Sequence, residues 1–167
     1  MISVDFENVF CSRHGKWLAK EVGLFCPATK MRKHIVFSRK EFLEYGKSPY
    51  HPMLRVAYSL SNYNTLLKYV PMILTRSKPV LVYDTALDLQ VLRTIGINET
   101  DIIDVSRLVA DRVGQRVTLH VALLAFGIEH ERKSLHNPFA DSMYTYRLWE
   151  KLQSPKSYSS VSLTSSL

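Results

Sequence analysis

Two carboxylates stand two residues apart near the start of the chain, in the run Ile2-Ser-Val-Asp-Phe-Glu7. The run alternates apolar and polar residues as a half-buried strand does, so Asp5 and Glu7 share one face while Ile2, Val4 and Phe6 anchor the other. Adjacent acids on a strand at a buried edge cost free energy unless cations accompany them. A divalent metal with hard oxygen ligands is the simplest such cation, which makes Asp5 and Glu7 a candidate metal site. Three later residues belong to the same chemistry: Asp88, His136 and Asp141.

The elements that carry them can be read from pattern. Pro79-Val-Leu-Val-Tyr83 reads as an interior strand, and Leu87, Val91, Leu92 and Ile95 then recur at helical spacing. Asp88 therefore falls in the first turn of a helix that follows a strand. Asp141 also opens a helix, with Asn137 as N-cap, Pro138 at the first helical position and an amphipathic stretch from Phe139 to Leu152. The helix dipole favours acids in first turns, so each acid alone has a structural explanation. Their order, spacing and underlying elements, taken together, point to a site.

Elsewhere, Lys20–Cys26 and His34–Phe37 read as strands joined by a turn at Pro27–Lys30. Ser38-Arg-Lys-Glu41 is a capping box opening a short helix that Gly46 could close, and Lys47–Pro52 is a loop. Leu54–Leu74 is mostly helical in pattern, broken near Ser61-Asn62, with Leu66, Leu67 and Val70 facing inward. With a further strand at Ile102–Val105 and closing helices, the βαβα run predicts an α/β fold with a mixed sheet. One domain is expected over residues 1–152, followed by a flexible serine-rich tail at 153–167.

This layout resembles the DEDDh (DnaQ-like) 3′–5′ exonucleases of the ribonuclease H-like superfamily. The shared features are a strand with Asp-x-Glu, a strand leading to Asp at a helix start, and His-x-x-x-x-Asp opening a last helix. Val82-Tyr-Asp-Thr-Ala-Leu-Asp88-Leu-Gln-Val-Leu92 looks like the family's second motif, with Asp84 where Asn is often found. Asp101–Leu108 is similar to its next strand and turn, and Val117–Ile128 to the short helix before the His motif. The resemblance runs from about residue 1 to about residue 152. It implies a ribonuclease H-like mixed β-sheet flanked by α-helices, beginning with three antiparallel strands. It further implies two Mg²⁺ or Mn²⁺ ions held by Asp5, Glu7, Asp88 and Asp141, and His136 as general base. Phe6, Asn8 and Asp84 border these positions and are candidates for substrate contact, although strand parity assigns Phe6 to the core. The sequence departs from the family after Glu7, where Asn8-Val9-Phe10 replace the frequent Thr and Gly, and at Pro138, where a small residue is common.

Composition sets the outer bounds. A chain of 167 residues with 46% hydrophobic content can bury a proper core. No stretch approaches the ~20 apolar residues of a membrane span. Acids at positions 5 and 7 argue against a signal peptide, so an intracellular protein, cytoplasmic or nuclear, is expected. Cys11 and Cys26 form no metal-ligand spacing and read as reduced. The net charge is +7, and setting aside the four candidate acids raises the remainder to +11. Such a surface attracts phosphate backbones. Basic residues gather at Arg13–Lys20, at Lys30–Lys40 and at Arg107, Arg112 and Arg116. The expected partner is nucleic acid with a free 3′ end, RNA or single-stranded DNA with RNA favoured, alongside a possible protein partner or homodimer. The rival reading is a ribonuclease H-like domain that binds nucleic acid or protein without cutting. The segment after Glu7 motivates that rival; retention of all five chemical positions argues against it.

Overall fold

The computed structural model describes residues 1–11, 16–37, 58–60, 63–83, 86–132 and 135–154. Three long strands come first: β1 (Ile2–Cys11), β2 (Lys16–Cys26) and β3 (Met31–Phe37). Then follow β4 (Tyr58–Leu60), α1 (Tyr63–Arg76), β5 (Val80–Val82), α2 (Ala86–Thr94) and β6 (Ile102–Asp104). Helices α3 (Val105–Val113), α4 (Leu119–Ala125) and α5 (Pro138–Gln153) close the described chain. The strands form one six-stranded sheet in the order β4-β3-β2-β1-β5-β6. β2 runs antiparallel to both β1 and β3, whereas β4, β5 and β6 each join parallel to a neighbour. The mixed α/β sheet expected from the sequence is the one observed.

Strand parity divides the interior. Ile2, Val4 and Phe6 point to the face covered by α1 and α2, in a core with Val22, Leu24, Val70, Leu74, Val80, Val82, Val91 and Leu92. The opposite face carries α3, α4 and α5, where Leu81 and Tyr83 pack with Val105, Val109, Leu123, Tyr144 and Leu148. Each fully buried Leu or Val contributes roughly 1.5–3 kcal/mol, so both layers hold the sheet firmly. Asp5 and Glu7, one residue out of phase with Val4 and Phe6, are left on the α5 side. Cys26 is a free, buried thiol. Among the described residues no helix is long and apolar enough to cross a membrane.

Several boundaries differ from expectation. β1, β2 and β3 extend beyond the predicted Ile2–Glu7, Lys20–Cys26 and His34–Phe37. Tyr58–Leu60, expected as helix, is a strand paired parallel with Ile35–Phe37, and the helix begins only at Tyr63. Three residues are too few to show a period, so pairing with a neighbouring strand decides their conformation. Val105 starts α3 instead of ending β6, because the Asp104 side chain caps the helix by accepting from Ser106 N at 2.9 Å. The predicted helix after Ser38, the loop at Lys47–Pro52, Asp84 and the tail from residue 155 lie outside the described residues.

Candidate active site

The site is built on β1 where it meets β2. Asp5 pairs across the strands with Gly23, and Glu7 with Glu21. The register then shifts, Asn8 pairing with Ala19, so Lys20 is the extra residue of a β-bulge on β2. In a regular strand Lys20 and Glu21 would face opposite sides. At the bulge the Lys20 Nζ lies 3.1 Å from Glu21 Oε1. Glu21 is fully buried, and its other carboxylate oxygen lies 3.0 Å from His34 Nε2 on β3. A polar cluster of Lys20, Glu21 and His34 thus sits in the sheet beside Glu7.

Helix α2 contributes Asp88 from its first turn, where the residue is buried. Asn8 links this turn to β1: its Nδ2 donates to Asp88 Oδ1 at 3.2 Å and to the Phe6 carbonyl at 3.4 Å. Tyr83, at the end of β5, donates its hydroxyl to the Val117 carbonyl at 2.7 Å and so ties the approach to α2 to the segment before α4.

Helix α5 contributes Asp141. Asn137 caps it, Oδ1 accepting from Phe139 N at 3.1 Å and Ala140 N at 3.2 Å, with Pro138 in the first turn. His136 precedes the cap with φ of 67°, a left-handed conformation uncommon outside glycine. In that conformation its backbone N–H donates to Asp141 Oδ2 at 3.0 Å. Gly23 decides how closely this helix approaches β1. A Cβ at Gly23 would lie 1.9 Å from the Pro138 carbonyl oxygen and 2.3 Å from Phe139 N. The first turn of α5 therefore rests on the bare backbone opposite Asp5.

One cleft of about 430 Å³ results, lined by Asp5, Phe6, Glu7, Asn8, Asp88, His136 and Asp141 together with Tyr83, Ala86 and Leu87. The five residues nominated for chemistry thus share one cavity, though they lie up to 136 positions apart in the chain. Phe6 belongs both to the core and to the cleft wall. The electrostatics are one-sided, because no lysine or arginine is among the described lining residues. Burial, then the charges of Asp88, Asp141 and Glu7, push the Asp5 carboxyl well above its ordinary range. Burial and then Glu21 and Asp141 raise Glu7 to about 7, against the lowering influence of Lys20. Burial raises Asp141 to about 6, opposed by the amide and charge of His136. Asp141 Oδ1 and Asn8 Oδ1 are buried acceptors with no hydrogen-bond partner among the described residues.

An excess of oxygen acceptors without cations is the donor chemistry that Mg²⁺ or Mn²⁺ takes. In this conformation, however, no group of three His, Cys, Asp or Glu side chains among the described residues stands close enough to hold an ion. The donor types fit a hard cation; the spacing is wider than that of a coordinated set. Sequence reasoning missed Gly23, Glu21, Lys20 and His34. Only the pairing register could have revealed them, since nothing in their spacing relates them to Asp5 or Glu7.

No protein-family model matches the chain, and no curated protein matches it in sequence. Among solved structures, the Neurospora crassa Pan2 catalytic unit (protease and nuclease domain) is similar, with a TM-score of 0.64 and 16% sequence identity. The match covers 90% of this chain but only 26% of that one, so this chain spans about a quarter of its length. With the mixed sheet and its flanking helices, this likeness shows a ribonuclease H-like α/β fold.

Proposed function

We propose that this chain is a metal-dependent 3′–5′ exonuclease that releases nucleoside 5′-monophosphates from single-stranded nucleic acid, RNA in preference to DNA. The observation that carries the reading is the convergence of four carboxylates and a histidine, from β1, α2 and the start of α5, on one cleft with no lysine or arginine among its described lining residues. Likeness to a catalytic unit that includes a nuclease domain supports the same class. Asp5, Glu7, Asp88 and Asp141 would hold two Mg²⁺ or Mn²⁺ ions. Such ions would supply an acidified water and would neutralise charge at the leaving oxygen.

The chain's own residues do the rest. His136 stands at the exposed rim of the cleft, and its imidazole would take the proton of the attacking water. Asn8 fixes Asp88 in the cleft wall, and Phe6 offers an apolar surface beside the acids. The water oxygen bonds to the phosphorus of the terminal nucleotide's 5′-phosphate as the bond from that phosphorus to the preceding 3′-oxygen breaks, and the released 3′-oxygen takes a proton from solvent to become the new 3′-hydroxyl.

Purified protein with a 5′-labelled RNA, free or blocked at its 3′ end, tests this reading. With Mn²⁺ the free end should be shortened one nucleotide at a time and the blocked end spared. Asp5→Ala, Asp88→Ala and Asp141→Ala should abolish trimming while the fold survives. His136→Ala should slow it by a factor on the order of 10² to 10⁴. Trimming by Asp5→Ala at the wild-type rate would refute the assignment. The wider spacing of the acids favours a second reading, a non-cutting adaptor of the same fold. Tight Mn²⁺ and RNA binding without mononucleotide release would select it.

A further inference from the structure

A second cavity, of about 300 Å³, shares His136 and Asp141 with the acidic cleft. Its other described lining residues are Thr118, Leu119 and His120 around the start of α4, with Arg132 and Leu135 from before α5. The two spaces have opposite character. The first presents four carboxylates, whereas Arg132, exposed to solvent, brings a cation to the second. A phosphodiester avoids bare carboxylates but is bound well by a guanidinium, which donates two parallel hydrogen bonds to phosphate.

His120 adds a second polar group through a fixed tautomer. His130 Nδ1 faces the Ile128 carbonyl at 3.0 Å, so it must donate. In a neutral ring His130 Nε2 then accepts, and His120 Nδ1, 2.6 Å away, is its donor. His120 Nε2 is left outside the pair, on a residue that lines the cavity. Leu119 and Leu135 supply apolar surface for a sugar or base edge.

We propose that this cavity seats the nucleotide on the 5′ side of the scissile bond, with Arg132 on its phosphate and His120 as a second polar contact. The proposal rests on the nuclease reading for the direction of the strand, but its test is one of binding. Fluorescence anisotropy in Ca²⁺ would compare a 5′-fluorescein hexanucleotide with unlabelled nucleoside monophosphate as competitor. Arg132→Ala should weaken the hexanucleotide roughly 10- to 100-fold, the range for a hydrogen bond to a charged group, and leave the monophosphate unchanged. Arg76→Ala, which removes the same charge from an exposed site in the last turn of α1, outside the basic clusters, should bind the hexanucleotide as wild type does. His120→Gln should weaken it in the same direction as Arg132→Ala.

Where turnover is measurable, Arg132→Ala should raise KM with kcat unchanged. Equal hexanucleotide affinity in Arg132→Ala and wild type would overturn the proposal. So would equal losses for both ligands, or an equal loss in Arg76→Ala. A wild-type protein that binds the hexanucleotide yet releases no mononucleotide in Mn²⁺ would end the exonuclease reading. The cavity would still stand if Arg132→Ala selectively lost hexanucleotide affinity.

Discussion

Gly23 offers the sharpest test of how the site is assembled. It faces Asp5 across the sheet, and Gly23→Ala adds a single methyl group whose carbon would lie 1.9 Å from Pro138 O, 2.0 Å from Pro138 C and 2.3 Å from Phe139 N. All three are backbone atoms of the first turn of α5, so no side chain can rotate away. Non-bonded carbon and oxygen atoms settle at roughly 3.5 Å, which requires the turn to retreat by about 1.5 Å. Overpacking of this kind costs roughly 1–3 kcal/mol. At about 2–4 °C per kcal/mol for a chain of this size, the melting temperature should fall by roughly 2–12 °C. The retreat carries Asp141 away from Asp5, and a displacement near 1 Å at a catalytic group can cost about 10²-fold in rate. Thermal unfolding in EDTA reads the first effect, and Mn²⁺-dependent trimming of labelled RNA reads the second. Unchanged melting and unchanged trimming in Gly23→Ala would refute the packing of α5 on β2 and the argument that it positions Asp141.

The raised carboxyls make a pH prediction. A group whose folded pKa exceeds its unfolded value adds stability that is complete below the unfolded value and lost as pH rises through the folded one. For Glu7 and Asp141 that window runs from about 4 up to about 6 and 7, so the metal-free protein should weaken across it. Together the two groups contribute at most a few kcal/mol, because Glu7 is partly solvent-screened. Glu7→Gln/Asp141→Asn should flatten the dependence of unfolding free energy on pH in EDTA, and Mn²⁺ should stabilise wild type more at pH 8 than at pH 5. Parallel pH profiles for wild type and double variant would contradict the linkage. The buried Glu21–His34 pair makes another. Truncating one partner of a buried hydrogen bond leaves the other unsatisfied at a cost of roughly 1–3 kcal/mol, so His34→Ala should lower urea stability by about that amount, while Glu21→Leu/His34→Phe should recover much of it. A His34→Ala variant as stable as wild type would show that the pair carries no such weight.

Much of this protein could be read from residue order alone. Alternation in Ile2–Glu7 separated a core face from an acidic face because side chains on a strand alternate whatever the strand packs against. Asn137 and Pro138 located the start of α5, and with it Asp141, because capping is a local hydrogen-bonding matter. Asp88 was legible for the same reason, as the first turn of a helix after an apolar strand. Pairing, in contrast, is non-local. That Glu7 lies opposite Glu21, that a bulge brings Lys20 to Glu21, and that Tyr58–Leu60 adds a strand beside β3 follow from register between distant segments. Gly23 gives no local sign of its role, since its missing side chain matters only because α5 rests there. Likewise, the sequence named the acids, but only packing could bring them into one cleft, where burial and mutual repulsion raise their proton affinity.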